Sequence, residues 1–357
     1  MTNPVPETST TQTTRGFLHA RWRSVLHVAL FAAVAAGLIY ALRHLDLAML
    51  GVALRSADPW LLVVAAAANL GSQVTRTLGW NALLPTRVAF RRLIRYEFAV
   101  QAASAVSPEG SGELVRVGYL RSEGIPATTT VSLMATRKLL SSVGLVPLVL
   151  VAAALTAATS PPGTPGWAIS VFIVYTATMI LLLSAAVAFA PNPENRPRPA
   201  TNPELDTSPG LGINPSRRGR RQRIAATVTA ARSALAPLRD RSAMGQCLAA
   251  AVATRSLDLV GAVAVLAGLG FKLPMAQIVL VLVLIEVSNV LPSGPAQLGT
   301  FEAAVLLGVA GALPAAQTVA FALLFHAQQM LPQVLAGLAA MIHRRKRHQP
   351  KHARQET

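Results

Sequence analysis

The chain alternates long apolar runs with short basic connections. A bilayer core of about 30 Å needs roughly 20 apolar residues at 1.5 Å rise each, and runs near that length recur. Residues 24–42, 59–84, 139–158, 168–190, 247–270 and 317–342 each predict a membrane helix. Two shorter apolar pieces, 276–291 and 300–313, lie before the last of these. The first run follows Arg21 and Arg23 without a small-residue cleavage pattern, so it reads as a retained helix, with a cleaved signal peptide as the alternative. The pattern predicts an all-α fold, a polytopic membrane helix bundle of about seven to nine helices.

Charge sharpens the topology. Only 13% of the 357 residues are charged and 52% are hydrophobic, against about a quarter charged in an ordinary soluble domain. Lys plus Arg is 32 against 15 for Asp plus Glu, which in a soluble protein would point to nucleic acid. Their placement argues otherwise: 19 of the 32 lie in residues 15–23, 191–246 and 344–354. Basic connections between apolar spans are the positive-inside signature, so both termini are expected in the cytoplasm of a multi-pass cell-membrane protein. The uncharged turn TSPPGTPGW suits the outer side. One cysteine, Cys247, excludes an internal disulfide or a Cys-ligated zinc.

Composition divides the chain. Residues 1–23 form an N-terminal cytoplasmic segment, 24–190 a first membrane half, and 191–223 a Pro-, Asn- and Arg-rich linker expected to be disordered. Residues 224–342 form a second membrane half, opened by a basic helix near 224–241, and 343–357 a basic cytoplasmic tail. The Arg cluster 217–223 is placed against anionic headgroups or serves as a topology signal.

Each half carries an apolar run broken by Pro and Gly and followed by an acid. In residues 96–120 the break holds Pro108, Gly110, Gly112 and Glu113; in residues 284–307 it holds Pro292, Gly294, Pro295, Gly299 and Glu302. A broken helix in lipid frees backbone groups that survive only inside protein or against a water-filled cavity. Paired breaks in two halves point to a transporter's binding site; short helices joined by extramembrane loops are the alternative. Ionisable residues also fall within or beside the apolar runs: Arg76, Glu97, Arg137, Lys138, Arg255, Asp258, Glu286 and His326. Such residues face a partner or a cavity. Arg255 and Asp258, three apart, are expected to neutralise each other. No phosphate loop, zinc helix, nucleophile elbow or metal-spaced cluster is found.

Several motifs then combine: RTLGW at 76–80, the stretch Pro108, Gly112, Glu113, Arg116, the Arg at 137, PSGPAQLGTFE at 292–302 and FHAQQMLPQVLAG at 325–337. Together they resemble the membrane region of lysylphosphatidylglycerol synthases, a family that also occurs as free-standing chains. The resemblance implies movement of aminoacylated phosphatidylglycerol between leaflets. The family's aminoacyl transfer resides in a separate C-terminal soluble domain, so no transferase activity is expected here. Gly112, Glu113, Arg116 and the turn from Gly299 to Glu302 match family motif positions. His326 and Gln328 stand where family members often carry Arg.

The expectation is therefore a lipid transporter of flippase type without cofactor, metal or catalytic residue. Glu113 and Glu302 would meet a cationic headgroup group, and Arg76, Arg137 and Arg116 its phosphate. The expected partners are membrane lipids, with no nucleic acid. The alternative is an accessory subunit of a membrane lipid or glycan biosynthetic enzyme. An intramembrane transferase with Glu113 or Glu302 as base is a third reading.

Overall fold

A computed structural model describes residues 51–106 (except 53), 111–159, 165–191, 232, 235–289 and 297–348. The expected helix at 24–42, the N-terminal segment 1–23, nearly all of the linker 191–223, and Pro108, Gly110, Pro292, Gly294 and Pro295 lie outside the described residues.

The described residues are all helical, with no strand among them. We number the helices α1 (Pro59–Leu83), α2 (Phe90–Val106), α3 (Ser111–Ser122), α4 (Ala127–Val143), α5 (Val146–Thr159), α6 (Ala168–Phe189), α7 (Arg241–Gly268), α8 (Met275–Ser288), α9 (Thr300–Gly308) and α10 (Ala315–His348). Local chemistry sets the ends. Asp58 caps α1, accepting from the Trp60 N–H at 2.8 Å, with Pro59 behind it in the first turn. Asp240 caps α7 through the N–H groups of Ser242 and Ala243.

Four segments are long and apolar enough to cross a membrane: Ala127–Thr159, Ala168–Phe189, Arg241–Gly268 and Ala315–Ala339. The first differs from the sequence reading. Its helix begins at Ala127 rather than near 139, so Arg137 and Lys138 lie within it. A turn at Gly144 and Leu145 separates α4 from α5. There α7 presses close: a Cβ on Gly144 would stand 2.6 Å from the Ala251 Cβ. Helix α1 forms as expected but is not among the four. Its buried face carries Asn69, Ser72, Gln73 and Thr77, turned toward protein rather than lipid.

The larger apolar core surrounds α8, whose residues 276–283 are buried without interruption. A short helix apolar on every side must be enclosed, and α5, α7, α9 and α10 supply the enclosure. Helix α6 stands at the margin, with Ile173, Val174, Ile180 and Leu181 exposed. A second cluster gathers Trp80, Leu93, Leu120, Leu133, Leu140 and Leu238. Helices from both sides of the linker interleave: α7 packs along α1, and α10 along α2.

Candidate functional site

Side chains from α1, α2, α3, α4, α7, α8, α9 and α10 converge on a cavity of about 300 Å³. Arg76, Arg116, Arg137, Lys138 and Arg255 line it, with Glu97, Glu113, Asp258 and Glu286. His326, Phe301 and Gln297 complete the second half's share.

In the first half, Glu97 is the hub. Buried on α2, it pairs with Arg116 of α3 and lies 3.9 Å from Arg137 of α4. Arg116 also bonds Glu113 at 2.9 Å. The Glu113 side chain is 49% exposed. The guanidiniums of Arg116 and Arg137 lie 4.7 and 5.0 Å from the Trp80 ring centroid, so an aromatic face separates two cations from the helix behind. In the second half, Glu286 pairs with Arg255, accepts from the Ser142 hydroxyl at 2.6 Å and lies 3.6 Å from Lys138.

The sequence-predicted residues divide accordingly. Arg76, Glu113, Arg116, Arg137 and His326 come together on the cavity. Glu302 sits behind it, with one oxygen on His326 Nδ1 and the other accepting from the Gly299 N–H at 2.7 Å. Gly299 has φ +89°, a conformation an L side chain resists, and it turns the chain into α9. Gly112 lets α3 close against α2, where a Cβ would stand 2.7 Å from the Val100 carbonyl oxygen. Arg255 and Asp258 do meet, at 3.4 Å, but Arg255 gives its closer contact to Glu286, and Asp258 reaches Arg76 at 3.7 Å.

Arg76 stands apart from the other cations. Its side chain is 27% exposed, its one carboxylate contact is long, and its Nε is buried without a hydrogen-bond partner. A buried unpartnered donor is costly. Taking Glu302 and His326 as a pair, the lining holds five cations against four anions. An anion with two acceptor oxygens would complete it.

The arrangement obeys an inverted two-fold relation. Helices α1 and α7 run antiparallel: Asp58 bonds Gly268 end to end, Gly71 faces Leu257, and Gly79 faces Ala250. At their crossing the hydroxyls of Thr75 and Thr254 bond at 2.7 Å. These threonines open equivalent strings, TRTL at 75–78 and TRSL at 254–257, so a residue meets its own counterpart on the axis. The rest follows. Glu97 and Glu113 are 16 residues apart, as are Glu286 and Glu302; Arg137 follows Glu113 by 24, as His326 follows Glu302. The packing repeats too: α2 with α3 as α8 with α9, α3 with α4 as α9 with α10, and α2 with α10 as α8 with α5. The cavity is thus lined or backed by two equivalent quartets: Arg76, Glu97, Glu113 and Arg137, and Arg255, Glu286, Glu302 and His326.

Sequence reading had noticed Glu97, Arg255 and Glu286 without placing them in the site. The repeated strings and equal spacings were the available signal. Ser141, Asn289, Gln329 and Gln333 also line the cavity; Gln329 and Gln333 lie in the quoted stretch 325–337 without having been singled out, and nothing in the local sequence of Ser141 and Asn289 marked them. Among the described residues there is no cluster of His, Cys, Asp or Glu able to hold a metal ion.

Comparison with known proteins adds one match. The family described as the lysylphosphatidylglycerol synthase TM region matches residues 24–337. No curated protein matches, and no solved structure matches.

Proposed function

The chain belongs to the lysylphosphatidylglycerol synthase transmembrane-region family, and within it we propose that this protein moves an anionic phospholipid between leaflets. The observation that carries the proposal is a charged cavity lying on the axis of an inverted repeat. Inverted repeats with broken helices place substrate at the repeat interface in many transporters, where the two halves can rock about a fixed site. Arg76 and Arg137 would receive the phosphate, because a guanidinium fork matches phosphate oxygens and Arg76 Nε has a donor to give. Glu113, half-exposed beside them, would meet an amine if the headgroup is aminoacylated. No covalent step is needed.

Orientation follows from the charges. With residues 87–95 and the linker in the cytoplasm, α1 enters from outside, α4 with α5 leaves the cytoplasm, α6 returns and α7 leaves again. Two crossings therefore lie between α1 and its counterpart α7, which makes the two antiparallel, in agreement with their packing. The α2–α3 hairpin then enters from the cytoplasm and the α8–α9 hairpin from outside, with both termini inside the cell.

The test is transbilayer movement of fluorescent phosphatidylglycerol in proteoliposomes, read by dithionite quenching of the outer leaflet. Arg76→Gln and Arg137→Gln should each slow movement at least tenfold at unchanged reconstitution. Glu113→Gln should slow the lysylated lipid more than the plain one. Wild-type rates in both arginine variants would overturn the assignment.

A further inference from the structure

The pair Arg76 and Arg137 corresponds, under the two-fold, to Arg255 and His326. The first pair is open. Arg76 reaches Asp258 only at 3.7 Å, and Arg137 reaches Glu97 at 3.9 Å and the Arg76 carbonyl oxygen at 3.3 Å. The second pair is closed. Arg255 holds Glu286, which is braced by Ser142 and Lys138, and His326 holds Glu302, which is braced by the Gly299 N–H. Yet Arg255 and His326 line the same cavity.

We infer that Arg255 and His326 form a second phosphate-binding station, shut in this structure by Glu286 and Glu302, to which the headgroup passes from Arg76 and Arg137 across the two-fold axis. The inference rests on the lipid-transport reading above. Equivalence defines how the stations exchange. In the second arrangement Glu97 takes Arg76 as Glu286 now takes Arg255, and Glu113 takes Arg137 as Glu302 now takes His326. Glu286 and Glu302 release their partners in the same step.

Three features support the exchange. Glu97 and Glu113 trade Arg116 for another cation and Glu286 retains Lys138, leaving Arg116 on the Trp80 face and Glu302 on the Gly299 N–H, which limits the cost of unpaired charge in a poorly solvated interior. Glu113 is half-exposed and, among the described residues, contacts only Arg116 of the cations, so it can turn by giving up a single ion pair. The stations also lie at matched depths from opposite ends: Arg137 is 10 residues into α4, and His326 is 11 residues into α10. A headgroup handed between them crosses the middle of the bundle. Two arrangements of one sequence differing in which partners are satisfied form the bistable element that alternating access requires.

The experiment separates binding from movement in the full-length chain. Binding is read by titrating short-chain dihexanoylphosphatidylglycerol, and movement by the proteoliposome assay. The double variant Arg255→Gln/Glu286→Gln removes the second station and its lock together, leaving Asp258 to Arg76 and the half-exposed Lys138 to water. It should bind within about twofold of wild type and move lipid at least tenfold more slowly. Arg255→Lys, which keeps the charge and the partner but loses the fork, should show the same split more weakly. His326→Arg gives the second station the guanidinium pair of the first and should raise the number of lipid molecules bound from one to two per chain.

Wild-type movement in the double variant would overturn the second station while leaving the first standing. Parallel loss of binding and movement in Arg255→Lys would also overturn it, because one merged site would then explain everything. Glycerophosphoglycerol, the headgroup without chains, serves as the soluble arm; its uptake into vesicles at the lipid's rate would overturn the lipid as the substrate. Failure of the transport reading itself looks different: wild-type protein would neither bind nor move phosphatidylglycerol.

Discussion

The two broken hairpins share one spacing and are held shut by opposite chemistry. In the first, α2 and α3 meet through polar and aromatic groups: Tyr96 stacks on Tyr119 at 4.4 Å, Arg92 bonds Glu123 at 2.9 Å, and Glu97 pairs with Arg116 inside. In the second, α8 and α9 meet through close apolar contact, with Gly308 laid against Val281. The positions correspond under the repeat, Tyr119 to Gly308 and Arg92 to Val281. The buried glutamates differ in the same way. Glu97 finds Arg116 within its own hairpin, whereas Glu286 reaches out to Arg255 on α7 and Lys138 on α4. The closest ion pair of the first hairpin lies inside it, with Arg137 farther off, while that of the second ties it to α7.

That contrast is broken most strongly at the glutamates. Removing one member of a buried pair strands the other charge, at about 3–5 kcal/mol. Glu97→Ala leaves the buried Arg116 with only the half-exposed Glu113 and takes the nearest carboxylate from Arg137, whereas Glu286→Ala leaves Arg255 with the buried Asp258 and Lys138 open to water, so the first should lower the thermal midpoint in detergent more. The double variant Glu97→Gln/Arg116→Gln should recover most of the loss. A double variant no better than the single would show that Glu97 acts on other partners.

Next come the hairpin crossings themselves. At Gly308 a Cβ would stand 2.6 Å from the Val281 Cγ2 and 3.0 Å from its Cα, so Gly308→Ala should cost about 1–3 kcal/mol by overpacking. Tyr119→Ala, the equivalent position, should lose instead a stacked pair worth about 0.5–1.5 kcal/mol beyond its area. Adding one carbon opens one hairpin and deleting a ring opens the other. Equal tolerance of alanine at both positions, measured by thermal unfolding, would erase the distinction.

A smaller effect tests the axis. Thr75→Val and Thr254→Val each leave one hydroxyl unpaired across the crossing and should cost about 0.5–1.5 kcal/mol. The double variant should cost less than the sum, because both ends of the bond then go together. Additive losses would place the two hydroxyls on separate partners, the Ser72 and Ala250 carbonyl oxygens that they also contact.

What the sequence made legible follows the same division. The all-helical fold, the broken segments and the gathering of Arg76, Glu113, Arg116 and Arg137 were readable because charges in apolar runs and Pro/Gly breaks are local signals. Glu302 was read as a headgroup contact from its place after the break, but its partner, His326, lies 24 residues on. Two helices had to be folded together before that contact existed. The early start of α4 was obscured because polar Thr128, Thr129 and Thr130 interrupt the apolar run. In the helix the Thr130 hydroxyl bonds the Pro126 carbonyl oxygen at 3.2 Å and costs the bundle little. The two-fold was legible in principle, from TRTL and TRSL, but comparing halves by hydropathy alone passes over it.

The mildest effect belongs to pH and to the first hairpin alone. Glu123, at the α3–α4 connection, accepts from the Tyr96 hydroxyl at 2.6 Å and pairs with Arg92. Those partners hold its carboxyl below the usual carboxylate range. A carboxyl with a depressed folded value adds stability that is complete above its ordinary value near 4.3 and fades as pH falls through the lower folded one. Wild type should therefore unfold at a higher temperature than Glu123→Gln at pH 7, and the gap should narrow as pH falls toward 3. The gap will be small, because a pair at the surface is screened by water and salt. No such dependence is expected at the equivalent crossing, where Gly308 and Val281 carry nothing to titrate, so Gly308→Ala should keep the same deficit at both pH values. A deficit of Glu123→Gln that stayed constant with pH would assign the clamp to the Tyr96–Tyr119 stack and remove charge from the account of the first hairpin.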